Sequence, residues 1–384
     1  MHLNLIADQI VKSKIYPALA QTQDCNFDHC WPYTVPLRLQ EYCVEHGIPL
    51  NIYSINDFPA NSFYPIGIGF FDFSIDYIAL LPTQVCDRLK LGDLKLLFYY
   101  HEGDNPAKIK QRLDSLCSEH KLHRDCYVFV SGNTAAKLLP NFVYFADFEL
   151  WYYQRNQTSR PLKIHHEPRE RDFTVLNRLH KSWRAMAITD LKHNGILDNS
   201  YWSYCETGKF VDQDCAIKID DIAGLRTRTE KFLQSAPYIS DELDYDQRND
   251  HSILVSKYYV NSYCNIVMET HFDIGNSGVF LTEKTFKPIK HGQMFFIAGP
   301  AGSLQLLRDL GYRVFDSVLD NNYDLETDAT QRWQALTRSI FFAQPDLPQL
   351  FELCRADIEH NQQLFQANKA HRLNTLIKEL NESH

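Results

Sequence analysis

Short apolar runs recur along the chain, and each is followed by polar turn residues and then by a longer amphipathic stretch. Short runs that are bounded by turn residues and rich in aromatic and β-branched side chains predict buried strands, whereas the longer stretches with helical spacing predict helices. Strands that alternate with helices predict an α/β fold with parallel sheets. The predicted strands closest to candidate chemistry are residues 95–100, 127–130, 172–176, 265–269 and 294–298.

The region 265–298 predicts one complete strand–helix–strand unit. Its first strand ends on Glu269, and Thr282 stands where the N-cap of the following helix belongs. Gly292 ends that helix, because glycine readily adopts the left-handed conformation found beyond a helix C-terminus. Polar residues therefore collect where the strand ends and the helix begins, which is the edge of a parallel sheet at which ligands bind.

The residue types at this edge suit a nucleoside diphosphate. Lys284 offers a positive charge to a phosphate, and the free N–H groups of a helix start favour an anion. Glu283 can accept hydrogen bonds from two ribose hydroxyls, and Glu269 can hold a sugar. In the alternative interpretation, Glu283 and Lys284 are solvated charges of a first helical turn and Glu269 is a surface strand end.

Residues 95–133 predict a second strand–helix–strand unit, in which His101, Glu102 and Asp104 follow the first strand. A carboxylate at a strand end can serve as the general base that deprotonates an attacking hydroxyl. Glu102 is the first candidate for this role, His101 the second and Asp104 the third. The alternative is a charged turn that only caps the next helix.

The predicted strand 172–176 leads into a helix start that is rich in cations: Asn177 is followed by Arg178, Lys181 and Arg184. Helix N-termini normally prefer acidic residues, so several cations here indicate an anion between them. The planar fork of arginine binds two phosphate oxygens at once. The alternative is an exposed basic helix start.

The string METHFDIGNSGVFLTEKTFKPIKHGQMFFIAGP at 268–300 resembles the donor-binding motif of the α-1,3/1,4-fucosyltransferases. In that family a strand ending in Glu is followed by a short loop, an aromatic-x-Thr-Glu-Lys helix start and a hydrophobic strand ending in Gly. The matching residues are Glu269, Phe280, Thr282, Glu283 and Lys284. The loop is longer here, and Pro288 interrupts the helix. The chain also resembles uncharacterised bacterial and phage proteins that share "NR…R" and "TEKT-x-KPI" stretches.

The resemblance implies a GT-B glycosyltransferase, with two Rossmann-like domains facing a cleft and C-terminal helices bracing both. It implies that Asn177 is the strand-end Asn of the donor site, that Arg184 contacts the donor phosphates, and that Glu102 is the base. The implied reaction is inverting transfer of a sugar from a nucleotide-sugar, with a GDP-sugar favoured, to a glycan or another hydroxyl acceptor. The implied reaction requires no metal or other cofactor.

A polar, basic segment with two prolines at 154–171 predicts a domain boundary. The predicted domains are an acceptor domain at 1–155, a linker at 156–171, a nucleotide-sugar domain at 172–345 and bracing helices at 346–384. Further predictions concern a turn or site wall at Gly67 and Gly69, helices at 34–46, 220–234 and 347–379, and a strand at 312–315.

Composition narrows the function classes. The chain has 384 residues and a net charge of −9, which disfavours a nucleic-acid backbone as the main partner. No apolar run approaches the ~18 residues of a transmembrane helix, and no signal peptide is evident. The ten cysteines are scattered and form no CxxC pair, so a reduced cytoplasm is expected. Two other functions stay open: a non-catalytic nucleotide- or glycan-binding protein, and a phage-type glycosyltransferase that acts on modified DNA bases.

Metal ligation is disfavoured by spacing. Cys25, His29 and Cys30 could contribute to a zinc site, but no second cluster with ligand spacing follows them. Two D-x-D sequences occur in acidic segments, where such pairs arise often by chance. Their residues are Asp212 with Asp214 and Asp244 with Asp246.

Overall fold

The computed structural model describes residues 2–6, 39, 42–68, 71–155, 163–164, 168–239, 255–274, 278–367 and 369–383. The chain forms two compact units. The first unit comprises Met1–Asp147, Asn276–Phe280 and Asn368–His384, and the second comprises Phe148–Gly275 and Leu281–Ala367. The predicted domains are contiguous, whereas the two units are discontinuous along the chain. Residues 276–280 and 368–384 belong to the first unit although they follow residues of the second.

The first unit is built on six parallel strands, in the order β2-β1-β3-β4-β5-β6. The strands are β1 (Leu3–Ile6), β2 (Leu50–Tyr53), β3 (Ser62–Ile68), β4 (Leu94–Tyr100), β5 (Tyr127–Ser131) and β6 (Phe142–Tyr144). Strands β3, β4 and β5 are buried almost throughout. Near-continuous apolar strands of this kind are typical of parallel sheets that are covered on both faces.

The second unit contains four parallel strands, in the order β10-β9-β7-β8. The strands are β7 (Arg171–Asn177), β8 (Ser200–Tyr204), β9 (Ser262–Met268) and β10 (Met294–Ala298). The chain passes from β7 to β8 on one side and then returns to place β9 on the other side of β7. The strand order therefore reverses between β7 and β9, and ligands of doubly wound sheets bind at the carboxyl ends of such a strand pair.

The helices are numbered along the chain. They are α1 (Thr83–Leu91), α2 (Pro106–Glu119), α3 (Asp147–Arg155), α4 (Ser182–His193), α5 (Leu225–Ser235), α6 (Ser256–Val260), α7 (Glu283–His291), α8 (Ser303–Asp309), α9 (Ala329–Ala343), α10 (Leu347–Leu353), α11 (Arg355–Gln366) and α12 (Ala370–Glu382). Within the described part of the chain, no helix combines the length and the apolar character needed to cross a bilayer.

The predicted α/β class is confirmed, since both units consist of parallel strands alternating with helices. The strand predicted at 294–298 is β10, and Gly292 ends α7 in the left-handed conformation with φ 72°. The helix α7 continues through Pro288. Strand β9 begins three residues before its predicted start and ends just before Glu269.

The strand predicted at 312–315 is absent, and this prediction was wrong. The backbone N–H of Arg313 donates to Oδ1 of Asn361, and the Nδ2 of Asn361 donates to the Arg313 carbonyl, at 2.8 Å each. An amide side chain thus pairs with backbone groups that a neighbouring strand would otherwise bind. Phe315 also has φ 65°, which a strand does not allow.

Three other predicted elements differ from the structure. The helix predicted at 347–379 is divided into α10, α11 and α12. The helix predicted at 220–234 begins only at Leu225, after the left-handed Gly224. Gly67 lies inside β3 and not in a turn, while Gly69 and most of 34–46 lie outside the described residues.

The start of α8 depends on a side chain from a later loop. The carboxylate of Asp324 accepts hydrogen bonds from the N–H groups of Leu304 and Gln305, at 3.0 to 3.1 Å. Asp324 is buried, so water cannot replace it at these two donors. The carboxylate of Asp324 therefore caps the start of α8.

Replacing Asp324 with alanine should lower the free energy of unfolding by about 1–3 kcal/mol, because two N–H groups at the start of α8 lose their acceptor. Chemical denaturation of the purified protein measures this change. Asp320→Ala is the matched control, since Asp320 is an exposed acid of the same loop. An equal effect of the two substitutions would contradict the capping role of Asp324.

Candidate functional site

The reversal point of the second sheet gathers most of the predicted donor-binding residues. Asn177 ends β7, and Glu269 directly follows β9 at the neighbouring position of the same edge. Thr282 is the N-cap residue of α7, and Glu283 and Lys284 form its first turn. We call this region the β7–β9 edge; it comprises Asn177, the residues 269–271 that follow β9, and the residues 282–284 at the start of α7.

The carboxylate of Glu269 is fully buried and is used within the protein. Its Oε1 accepts hydrogen bonds from the N–H of Thr282 at 3.1 Å and from Thr285 Oγ1 at 2.6 Å. Its Oε2 accepts from Thr282 Oγ1 at 2.7 Å and from the N–H of Thr270 at 3.1 Å. Glu269 therefore ties the end of β9 to the start of α7, and its direct contact with a sugar stays a prediction.

The first turn of α7 presents one partly exposed ammonium group. Lys284 Nζ donates to Thr282 Oγ1 at 3.0 Å and lies 3.2 Å from the Glu283 carboxylate. The side chain of Glu283 is buried, whereas that of Lys284 is about one-third exposed. Of the two charges, Lys284 is the one that reaches solvent, and the predicted contact of Glu283 with a ribose remains untested.

Two lysines from different loops converge on Thr270. Lys181 Nζ, from the β7–α4 connection, donates to the Thr270 carbonyl oxygen at 2.7 Å. Lys284 Nζ, from α7, donates to Thr270 Oγ1 at 3.3 Å. Two ammonium groups held at one residue repel each other, so this arrangement favours an anion near them.

The imidazole of His271 lies close to the same cations, and their charges affect its pKa. Burial lowers the pKa of its imidazole, and the charges of Lys181, Arg184 and Lys284 act in the same direction, which brings the pKa to about 4. The ring is therefore neutral at pH 7. Because a cationic neighbourhood disfavours a further proton, it correspondingly favours a phosphate group.

Arg184 binds the backbone at the end of β9. Its Nη2 donates to the carbonyl oxygens of Met268 and Glu269, at 3.3 and 2.7 Å, and the side chain is buried. Burial lowers the pKa of its guanidinium to about 10, which still leaves it charged at neutral pH. The nearby charge of Arg178 acts in the same direction. Arg184 thus fixes the end of β9, and direct contact of either arginine with phosphate stays a prediction.

Asn177 presents an unsatisfied amide at this edge. The residue is 2% exposed, and neither its Oδ1 nor its Nδ2 has a hydrogen-bond partner among the described residues. A buried amide without partners is unfavourable by roughly 1–3 kcal/mol per group. A ligand with both donors and acceptors, such as a ribose or a sugar, would supply the missing partners.

The base candidates of the first unit have different surroundings. Tyr100 donates its hydroxyl hydrogen bond to the carboxylate of Asp104, so Asp104 is held within the protein. His101 Nε2 lies 3.5 Å from Glu102 Oε1, and the Glu102 side chain is 35% exposed. Asn133 Nδ2 donates to the Gly103 carbonyl at 2.9 Å and fixes this loop. The carboxylate of Glu102 is thus partly exposed, which suits a base, although its role stays a prediction.

Of the two D-x-D sequences, only the side chain of Asp212 lies within the described part of the chain, and it is paired with arginine. Asp212 accepts from Arg226 at 2.7 and 3.3 Å, and Arg226 also binds Asp220. Among the described residues, no group of three His, Cys, Asp or Glu side chains could hold a metal ion. The remaining metal candidates lie outside the described side chains: Asp214, Asp244, Asp246, Cys25, His29 and Cys30.

Sequence reasoning missed two residues of the β7–β9 edge, Thr270 and His271. Both immediately follow the strand-end Glu269, so the rule that ligands bind at the carboxyl ends of parallel strands could have identified them. Their importance arises from Lys181 and Lys284, which approach from different parts of the chain. No local pattern indicates that convergence.

Comparison with known proteins gives only distant similarity. No family model and no curated protein matches the chain. A structure of the DNA-modifying enzyme β-glucosyltransferase, in the presence and absence of its substrate uridine diphosphoglucose, is 10% identical over 99% of both chains, with a TM-score of 0.39. A T4 phage BGT mutant in complex with UDP-glucose is 11% identical over 98% of this chain and 99% of that one, with a TM-score of 0.35. A GtfA/B complex is 12% identical over 78% of this chain and 60% of that one, with a TM-score of 0.33.

NMR titration of histidine-labelled protein should find the His271 ring neutral at pH 6, with a pKa near 4. Because this value lies below the ordinary 6.5, the neutral ring stabilises the fold above pH 6.5, and this contribution is lost as pH falls toward 4. Lys284→Ala should raise the pKa, since it removes one nearby cation, and His271→Gln assigns the signal. Lys231→Ala, at an exposed position of α5, should change nothing. A His271 pKa that is the same in Lys284→Ala as in the wild-type protein would contradict a positive potential from Lys284 at this ring.

Proposed function

We propose that the second unit binds a nucleoside-diphosphate sugar and that the protein is a glycosyltransferase. The observation that carries this proposal is the convergence of Lys181 and Lys284 on Thr270 at the reversal point of a parallel sheet. The unsatisfied amide of Asn177 supports it independently. The charges of Lys181 and Lys284 also contribute, after burial, to the low pKa of His271. The residues that resemble the fucosyltransferase donor motif, Glu269 and Thr282 to Lys284, also lie at the β7–β9 edge.

The proposed reaction is a direct displacement at the anomeric carbon. The acceptor oxygen forms a bond to that carbon as the bond from the carbon to the diphosphate oxygen breaks, and the leaving diphosphate keeps the electron pair. Lys181 and Lys284 offset the negative charge that develops on the leaving group. These ammonium groups serve the purpose that a divalent cation serves elsewhere, so the proposed transfer requires no metal.

The proposed base is Glu102 of the first unit. Its carboxylate takes the proton of the acceptor hydroxyl as that oxygen attacks, and it later releases the proton to water. His101, which lies 3.5 Å from this carboxylate, can stabilise its charged form when the imidazole is protonated. Attack from the side opposite the leaving group inverts the anomeric configuration.

The fucosyltransferase resemblance favours a guanosine diphosphate sugar as the donor and a glycan or other hydroxyl compound as the acceptor. Two alternatives are kept as outcomes of the experiments. A non-catalytic binding protein would bind nucleotides without turnover. A glycosyltransferase acting on modified DNA bases would bind DNA in a salt-sensitive manner, which the net charge of −9 disfavours.

Thermal-shift measurements with GDP, UDP, CDP, ADP and their sugar conjugates, with and without Mn²⁺, test donor binding. A nucleotide held at ~100 times its Kd should stabilise the protein by roughly 2.7 kcal/mol. Lys181→Ala and Lys284→Ala should each weaken binding by about 10-fold or more, because each removes a charge from the diphosphate site. Lys231→Ala should leave binding unchanged. No shift with any nucleotide, in folded protein, would refute the proposal.

Glu102→Gln should lower the rate of sugar transfer by about 10²–10⁴-fold, because the amide cannot accept the acceptor's proton, while donor affinity stays the same. Transfer is measured with the donor identified by thermal shift and a panel of glycan and hydroxymethylated-DNA acceptors. Glu119→Gln, at an exposed acid of α2, is the control. Full activity of the Glu102 variant would exclude Glu102 as the base and leave His101 as the next candidate.

A further inference from the structure

We infer that Phe280 is a positioning residue for the proposed base Glu102, an inference that rests on the proposed function. Phe280 occupies the aromatic position of the aromatic-x-Thr-Glu-Lys pattern, two residues before the N-cap of α7. It nevertheless belongs to the first unit, together with the loop that follows β4. Its ring is 1% exposed and is packed against that loop.

Gly103 lies directly against the side chain of Phe280. A Cβ atom on Gly103 would lie 2.1 Å from Phe280 Cγ and 2.5 Å from Phe280 Cβ, far inside van der Waals contact. The ring therefore packs directly on the backbone at the residue after Glu102. Only glycine permits this approach, so the loop and the ring constrain each other.

Gly132 closes the other side of the same contact. A Cβ atom there would lie 2.5 Å from the His101 carbonyl oxygen and 2.9 Å from Phe280 Cε2. The turn after β5 thus touches both the residue before Glu102 and the aromatic ring. The backbone is confined on both sides of the proposed base.

Hydrogen bonds hold the segment that carries Phe280. The Thr134 N–H donates to the Val279 carbonyl at 2.9 Å, and the Val279 N–H donates to Thr134 Oγ1 at 2.8 Å. Asn133 joins this contact to the base loop, because its Nδ2 donates to the Gly103 carbonyl and its Oδ1 accepts from the Ala135 N–H. Phe280 is therefore one side of a hydrogen-bonded frame around the loop.

This frame leaves the Glu102 carboxylate accessible while it fixes the backbone on either side. A general base must be held within a fraction of an ångström of its working position, and displacement by ~1 Å can lower a rate by about 10²-fold. We expect Phe280 to touch neither the substrate nor the reacting atoms and to act only through the position of Glu102. Its removal should therefore affect kcat and leave the binding of donor unchanged.

The first experiment compares Phe280→Ala, Phe280→Leu and wild-type protein. Phe280→Ala should lower kcat by about 10- to 100-fold, leave the donor Kd within about twofold, and speed amide hydrogen exchange across residues 101–105. Phe280→Leu, which keeps part of the apolar bulk, should restore much of the rate. Phe142→Ala removes another buried aromatic ring of the first unit and is the matched control. It should lower stability without altering kcat or exchange at 101–105.

The second experiment uses the close approach itself. Gly103→Ala should lower kcat because the new methyl group collides with the ring, and the Gly103→Ala/Phe280→Ala double variant should be faster than Gly103→Ala alone. Additive effects of the two substitutions would overturn the proposal, as would weaker donor binding with an unchanged kcat. Unchanged hydrogen exchange at residues 101–105 in Phe280→Ala would refute the claim that Phe280 holds this loop, whether or not the protein is active. Absence of any transfer by wild-type protein would instead refute the proposed function, and with it the role of Glu102.

Discussion

The second unit depends on the buried carboxylate of Glu269. A buried charge is stable only when hydrogen bonds satisfy it, and here four donors from Thr270, Thr282 and Thr285 do so. Arg184, buried beside it, supplies the compensating positive charge. Because these bonds join the end of β9 to the start of α7, they also determine where Lys284 emerges. The scaffold and the candidate site are thus one hydrogen-bonded structure.

The cations of the β7–β9 edge are held in place before any ligand binds. Lys181 and Lys284 donate to fixed oxygens of Thr270, and Arg184 donates to the carbonyl groups at the end of β9. Groups that are already oriented do not lose that freedom when a diphosphate binds or leaves, so their charge can stabilise the leaving group without reorganisation. Burial lowers the pKa of His271, and the charges of Lys181, Arg184 and Lys284 lower it further.

In the first unit, two nearby carboxylates have different surroundings. Asp104 accepts a hydrogen bond from the Tyr100 hydroxyl, and Glu102 lies beside His101 with its side chain 35% exposed. The frame built from Gly103, Asn133 and Phe280 holds the backbone of this loop. A fixed backbone with an accessible carboxylate is the arrangement that a general base requires.

The sequence by itself determined the type and order of the main elements. Apolar runs identified β10, Thr282 marked the start of α7, and Gly292 marked its end, because strand periodicity and helix capping depend on residues close together in the chain. Only the tertiary structure decided the partners of polar and aromatic groups. Asn361 replaces a strand at Arg313, Glu269 faces inward, and Phe280 belongs to the first unit. Those partners lie far apart in the sequence, and folding alone brings their atoms within hydrogen-bonding or packing distance.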